Sequence, residues 1–438
     1  MEVAPYAVQL PGCWTQEDLH EVASLCGPWG CQARWPPEAV LLFLLNWAMD
    51  NRQHTFERYL PEAWPLLRAL VQGWALPMAP VAVTPAALCQ VRQRLGMRAL
   101  QALHQKANAH ASADLDMLTR RWGLRLWAVD GSWLNLPPEP VLAKQFGRPS
   151  GTENGRLPLP QALLVSLDLV NLGWIVDYRL EPCHYPELRA GIALAAGLGP
   201  GDLLLADRLF FDTPWMKELR DRCVELLWRV TAVRWKSFCD ASRTNVRELR
   251  QRGGIVDCQV MLKVDTDHRG QPRGGLLPLR YLELPPCHSG QETMRLLTSL
   301  SAERLPAHEA ADGYHQRWGV ETDIRFYKGP DHLPVVLSRK PDTVQQEVLL
   351  RLLAHNWVRS VQAQACLLAR AADSGSFPPS GDEFAARPDH RRFHPTRLAP
   401  LRYRRHSRRC WRSDSAASIC PAPIHRHTAT IASGPSLG

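Results

Sequence analysis

Three acidic side chains stand where they could do chemistry. Asp130 closes the run Leu126-Trp127-Ala128-Val129, and Asp207 closes Leu203-Leu204-Leu205-Ala206. Each run reads as a short strand buried on both faces, so each carboxylate is held rigidly at a strand end yet can reach a cleft. The third, Glu321, lies in the helical pattern Pro306–Lys328, together with Tyr314, Arg317 and Lys328. At about 100° per residue these four side chains fall in one stripe about 60° wide, and Asp323 falls on the opposite face. Two carboxylates from neighbouring strands and a third from a helix make an oxygen-rich site for hard divalent cations. A pair of such ions can activate a water and stabilise the leaving oxygen of a phosphodiester. The phenol, guanidinium and ammonium of the same stripe suit phosphates, Arg by bidentate contact and Lys as a point charge.

Either Asp alone is weak evidence, because Asp is common at strand ends and turns. An i,i+4 ion pair on a solvated helix face would explain Arg317 and Glu321. It would not explain Tyr314 and Lys328, in a chain with only seven Lys.

The elements that must position these groups can be read from the pattern. Leu124–Val129, Gln161–Leu169 and Trp174–Leu180 read as successive strands. A helix at 186–198 precedes the strand Asp202–Ala206, and a helix at 214–222 precedes the strand 224–229. Three strands followed by strand–helix alternation predict a mixed α/β sheet flanked by helices. Val256, Cys258, Val260, Leu262 and Val264 alternate with polar or exposed partners at a period of two, and 277–284 is a further strand, so residues 230–292 read as a β-rich insertion. Arg295–Leu300 resumes as a strand, and a last helix spans about 343–370.

Residues 1–115 read as a helical N-terminal domain. Thr15 caps one helix, and 39–49 is apolar on all sides, as for a core helix. Thr84-Pro85 opens another helix and Gly96 stops it. There Leu88, Val91 and Leu95 share a face, and Gln90, Arg92, Gln93 and Arg94 lie off it. A short helix with such a polar face can enter a DNA groove, which makes Arg92 and Arg94 candidate DNA contacts. A solvated surface helix explains the same pattern equally well.

The sequence Tyr314-x2-Arg317-x3-Glu321-x6-Lys328 resembles the signature of the DDE transposases of bacterial insertion sequences known as the IS-four, or YREK, family. Residues 84–96, Phe146-Gly147-Arg148-Pro149, 203–210 and Leu227-Trp228-Arg229-Val230 are similar to other blocks of that family. The likeness covers about residues 35–370. It implies a ribonuclease H-like catalytic domain over 116–370, with the β-rich insertion in the 114-residue step from Asp207 to Glu321. It also implies that Asp130, Asp207 and Glu321 hold two Mg²⁺, with Mn²⁺ as a substitute, and that Tyr314, Arg317 and Lys328 grip phosphates of the element end. The implied chemistry is nicking at the end, followed by attack of the freed 3′-hydroxyl on another phosphodiester. The implied partners are double-stranded DNA, as terminal inverted repeats and as target, and a second copy in a synaptic homodimer. Some members flip a base onto a Trp. Trp228 and Trp235 are candidates here, although core packing suits both better. Leu209 stands where many members have Gly.

Composition bounds the rest. Of 438 residues, 45% are hydrophobic and 22% charged, as in ordinary globular chains. The longest apolar run, 39–49, falls well short of the roughly 20 residues a bilayer helix needs, and no signal peptide opens the chain. A cytoplasmic, nucleoid-associated protein is expected, its cysteines reduced. The net charge of +9 is carried entirely by residues 387–438, with eleven Arg, no Lys and two Asp. After about Ala372 the patterning fails, and 371–438 reads as a basic disordered or frame-shifted tail. That tail leaves an alternative function open: a catalytically idle relic that only binds DNA and inhibits its own element.

Overall fold

In the computed structural model the described residues are 13–27, 29, 35–49, 55–73, 83–151, 158–240, 244–252, 254–266, 272–285, 293–317, 319 and 336–373. They belong to one compact unit within Met1–Phe377. Five helices come first: α1 (Gln16–Ser24), α2 (Pro37–Met49), α3 (Phe56–Gly73), α4 (Pro85–Asp114) and α5 (Asp116–Thr119). Strands β1 (Arg120–Arg121) and β2 (Leu124–Asn135), helix α6 (Pro140–Phe146), and strands β3 (Gln161–Leu169) and β4 (Trp174–Pro182) follow. Next come α7 (Glu187–Leu194), β5 (Asp202–Ala206), α8 (Thr213–Asp221), β6 (Glu225–Arg229) and α9 (Ala232–Asp240). The chain then forms β7 (Thr244–Arg252), β8 (Ile255–Thr266), β9 (Pro272–Leu284), β10 (Met294–Thr298), α10 (Ala307–His315) and α11 (Pro341–Asp373).

All ten strands join one mixed sheet in the order β4-β3-β2-β5-β6-β10-β9-β8-β7, with β1 paired to β2. Strands β2, β3 and β4 are antiparallel neighbours, whereas β2, β5 and β6 run parallel. An antiparallel meander followed by two parallel crossover strands is the ribonuclease H-like arrangement. The strands of the 230–292 stretch continue this sheet through β10 instead of forming a separate one.

Alternation along the strands builds two cores. Leu124, Leu126 and Ala128 of β2, Leu203 and Leu205 of β5, and Leu227 of β6 share one face with Ala310 and Tyr314 of α10. Trp127, Val129, Leu204, Ala206, Leu226 and Trp228 point to the other face and join the larger core, which is continuous with the N-terminal helices and α11. At α7 the close approach requires glycine: a Cβ on Gly191 would lie 2.8 Å from Phe210 and 3.3 Å from Val129.

The start of edge strand β4 is sealed by side chains instead of another strand. The amide of Asn356 accepts from Ile175 N–H (3.0 Å) and donates to Ile175 C=O (2.8 Å). His104 meets the same carbonyl, Asn108 donates to Val176 C=O, and His355 meets Gly173 C=O. Edge groups need such partners once helices exclude water from them.

Gly96 does break the helix that begins at Thr84-Pro85, with φ +73°, but the helix resumes and runs to Asp114. The polar face expected on its first half is divided. Gln90, Gln93 and Arg94 are exposed, whereas Arg92 is buried. Its guanidinium donates to Ser338 Oγ and Thr343 C=O and lies over the Trp47 ring. Arg92 is therefore corrected from a DNA contact to a link between α4 and the start of α11. Among the described residues no helix is long and apolar enough to cross a membrane. The tail beyond 373 lies outside the described residues.

Asn356→Leu keeps the side-chain branching but removes the acceptor for Ile175 N–H and one of the two side-chain partners of Ile175 C=O, which keeps His104. It should lower unfolding free energy by about 2–3 kcal/mol. Urea denaturation would read this as a lower midpoint at unchanged slope.

Candidate active site

The register of one parallel pair sets the site. Val129 of β2 lies opposite Ala206 of β5. Asp130 and Asp207, each one residue further on, therefore stand side by side where β5 ends, with strands about 4.8 Å apart. The alternation that puts Leu126 and Ala128 toward α10 also puts Asp130 there, and Leu203 and Leu205 do the same for Asp207. Beyond β5, Asp207 caps a single 3₁₀ turn, Arg208–Phe210. Buried Phe210 anchors the turn and leaves Leu209 65% exposed at its crest.

The opposite end of β5 provides a contrast. Asp202 accepts from Arg125 Nε (2.8 Å), Trp127 Nε1 (2.9 Å) and Gly199 N–H (2.9 Å). That carboxylate is consumed by the scaffold. Asp130 and Asp207 keep side-chain exposures of 15% and 23%, so both are mostly covered yet still reach solvent.

Arg317 lies across the two carboxylates. Its Nη1 donates to Asp130 Oδ2 at 2.9 Å, and its Nη2 is 3.9 Å from Asp207 Oδ2. The guanidinium is 2% exposed and stands 5.7 Å from the Tyr314 ring centroid. Tyr314 itself is fully buried among Leu126, Leu205 and Leu296 on the α10 face. Burial pushes its phenol up to about 12, so the hydroxyl stays protonated. Neither side chain is presented to solvent, contrary to a simple surface grip on phosphate. The physical reason is that α10 turns this side of its stripe onto the sheet. Helix α10 is described only to His315, and Glu321, Asp323 and Lys328 lie outside the described residues. Arg94 is exposed on α4, available to a partner.

Two groups at the site were not singled out from sequence. Arg229 ends β6 on the same face, continuing the alternation from Leu227, and its positive charge acts on Tyr314. Glu187 opens α7 on the other side of the sheet. Its carboxylate occupies the space of a side chain at Gly131: a Cβ there would lie 2.2 Å from Glu187 Oε1. Burial raises the Glu187 carboxyl to about 7, and the negative charges of Asp130 and Asp207 add to the shift. An acid in the first turn of a helix reads in sequence as a dipole complement, and no linear spacing ties it to Asp130. The signal for Arg229 was present in the period of β6.

The donors fit a divalent cation. Strand β2 runs on to Asn135, so Asp130 lies within it and not at its end as the apolar run suggested, because pairing with β3 continues past the site; Asp207 alone follows a strand end, and both carboxylates face the Arg317 guanidinium. Among the described residues no three His, Cys, Asp or Glu side chains close around one point. Of the two candidate stacking aromatics one is buried and the other is half-buried with a ring face covered. Trp228 is fully buried edge-on to Trp215 (5.3 Å, 87°), and Trp235 lies flat on Tyr281 (3.6 Å, 5°).

Comparison with known proteins bears on this geometry. Residues 126–357 match the family model of the transposase DDE domain. The transposase InsG for insertion sequence element IS4 of Escherichia coli (strain K12) is 26% identical over 280 residues, covering 63% of this chain and 61% of that protein. InsZ of the same strain is 24% identical over 154 residues, covering 35% of this chain and 50% of that protein. The chain thus spans between half and about two thirds of these relatives' length. A cryo-EM structure of the piggyBac transposase synaptic complex with hairpin DNA aligns at a TM-score of 0.40 and 10% identity, over 85% of this chain and 74% of that one.

The raised Glu187 carboxyl carries a sign. Its folded pKa of about 7 lies above the ordinary carboxylate value, so its contribution is fully present at low pH and is lost as pH rises through about 7. Glu187→Gln should therefore raise the melting temperature relative to wild type at pH ~8 and leave it unchanged at pH ~4. Equal effects at both pH values would contradict the assigned environment.

Proposed function

Because the chain belongs to the DDE transposase family of the IS-four type, we propose that it binds the ends of a bacterial insertion sequence and cuts and joins DNA strands there. The observation that carries this reading is the in-register pair Asp130 and Asp207, with Arg317 between them. Divalent cations, two Mg²⁺ with Mn²⁺ as a substitute, would be held by Asp130, Asp207 and Glu321 and would activate the attacking oxygen and neutralise the leaving one.

The chain's own residues then act by holding and excluding. Strand β2 fixes Asp130 through its pairing on both sides, with β3 and β5. The Asp207 cap fixes the second carboxylate on its turn. The reacting phosphate must approach Asp130 and Asp207, which are mostly covered by protein, so charge interactions there are stronger than in open water. Arg317, Arg229 and Lys328 supply positive charge for the phosphate and for its neighbours.

In the first step a water oxygen attacks phosphorus, the P–O3′ bond breaks and the 3′-oxygen leaves as a hydroxyl. In the second, that hydroxyl attacks a target phosphodiester, one P–O bond forms and one breaks. Both are in-line displacements, so one constellation serves both.

Residues 1–115, with Arg94 on α4, are assigned to end recognition, and 116–370 to catalysis, the 230–292 insertion included. The working species is a homodimer bridging two ends, in the cytoplasm on the nucleoid.

The test is a strand-cleavage assay on the full chain with Mg²⁺ or Mn²⁺ and a duplex carrying the terminal inverted repeat that flanks the gene. Asp130→Ala should reduce nicking by at least about 10³-fold and leave end binding within about twofold. Equal nicking by the variant would remove Asp130 from the site. End binding by wild type without any nicking would favour the inhibitor reading.

A further inference from the structure

Arg317 stands in a place that conflicts with a simple role in DNA binding. A residue that grips a phosphate should offer its guanidinium to solvent. Here the guanidinium is 2% exposed and its donors point at Asp130 and Asp207. A phosphate cannot reach it there, and a divalent cation needs the same carboxylate oxygens.

We propose that Arg317 is an exchangeable counter-ion: a divalent cation displaces it from Asp130 and Asp207, and a phosphate of the DNA end receives it. The inference rests on the reading that Asp130 and Asp207 hold the cation.

Three observations support the exchange. The guanidinium is centred on Asp130 and stands farther from Asp207, at 2.9 and 3.9 Å, so its hold on the two carboxylates is uneven and not a bidentate clamp on either. Arg317 follows the end of α10, two residues beyond His315, so its side chain can swing without breaking that helix. Arg229 ends β6 on the same face, near Tyr314 and half-buried, so the approach to the two carboxylates carries a second positive charge besides Arg317.

The consequence is linkage. A ligand that binds only the displaced arrangement favours any other ligand that does the same, and the factor is reciprocal. Metal and DNA therefore load together. Without DNA the guanidinium competes for the carboxylates and holds metal affinity down, which keeps a potential nuclease idle until an element end is in place.

The probe is Mn²⁺ itself. Free Mn²⁺ is measured by electron paramagnetic resonance during titration of the full chain at neutral pH, with and without the end duplex. Wild type should bind Mn²⁺ about tenfold more tightly with DNA than without, within the usual range of coupling between sites. Arg317→Met should bind Mn²⁺ about tenfold more tightly than wild type in the absence of DNA, and DNA should then add less than about twofold. Arg317→Lys, which keeps the charge but lacks the fork to span both carboxylates, should fall between them. It carries the test if the Met variant does not fold.

Equal or weaker Mn²⁺ binding by folded Arg317 variants without DNA would overturn the exchange. Asp130→Asn separates the two layers of the argument. If it leaves Mn²⁺ binding untouched, the metal reading of the site fails, and the exchange with it. If it removes Mn²⁺ binding while Arg317 variants match wild type, the exchange alone fails.

Discussion

Two carboxylates side by side on adjacent parallel strands repel each other, and the local structure sets one buried positive group against both. The parallel register of β2 and β5 leaves no freedom in this: once Val129 faces Ala206, the next residues are neighbours. Arg317 answers the repulsion with a buried positive charge. The cost appears on a third acid, Glu187, whose carboxyl is raised by burial and by the same two negative charges. A buried ion pair of this kind adds little net stability. Its value lies in specifying where a positive group must sit, which a site for cations exploits.

The scaffold is stiff where the carboxylates need it. Strand β2 is hydrogen-bonded on both sides up to Val129, and β5 is buried along its whole length. Helix α7 closes on the reverse face because Gly191 lets Phe210 and Val129 approach, and Gly131 leaves space for Glu187 beside Asp130. Helices α4 and α11 clasp the meander edge through Asn108, His104, His355 and Asn356. The N-terminal helices thus share a core with the sheet. A polar fastening of this kind specifies one docking geometry, because any slip would leave Ile175 without partners.

Much of the architecture was legible in the residues. The strands Gln161–Leu169 and Asp202–Ala206 lie where the apolar runs put them, because buried strands must be apolar, whereas the strand from Leu124 runs on past Val129 to Asn135, because pairing with β3 carries it through Asp130 and Gly131. The period of two in 256–264 is borne by Cys258, Val260, Leu262 and Val264, all buried. Gly96 marks a real break, yet helix resumes beyond it, since Ala99, Leu100 and Leu103 all find the core and packing outweighs one strained turn. Arg92 was misplaced for a similar reason. A helical wheel separates polar from apolar residues, but it cannot tell that Ser338 and Thr343, almost 250 positions away, will offer acceptors to a buried guanidinium.

By itself the sequence determined the chemistry of the parts: acids directly following apolar strand runs, a stripe of phenol, guanidinium and ammonium, and a family to which both belong. Local periodicity suffices for this, because it depends only on neighbours within a few residues. The tertiary structure alone decided which charges meet. It set Asp130 against Asp207 through a sheet register, brought Arg317 from 187 residues away onto Asp130, and seated Glu187 behind the pair, on the reverse face of the sheet, through a glycine. Electrostatic coupling falls off with distance in space and is indifferent to separation along the chain, so these relations exist only once the chain is folded.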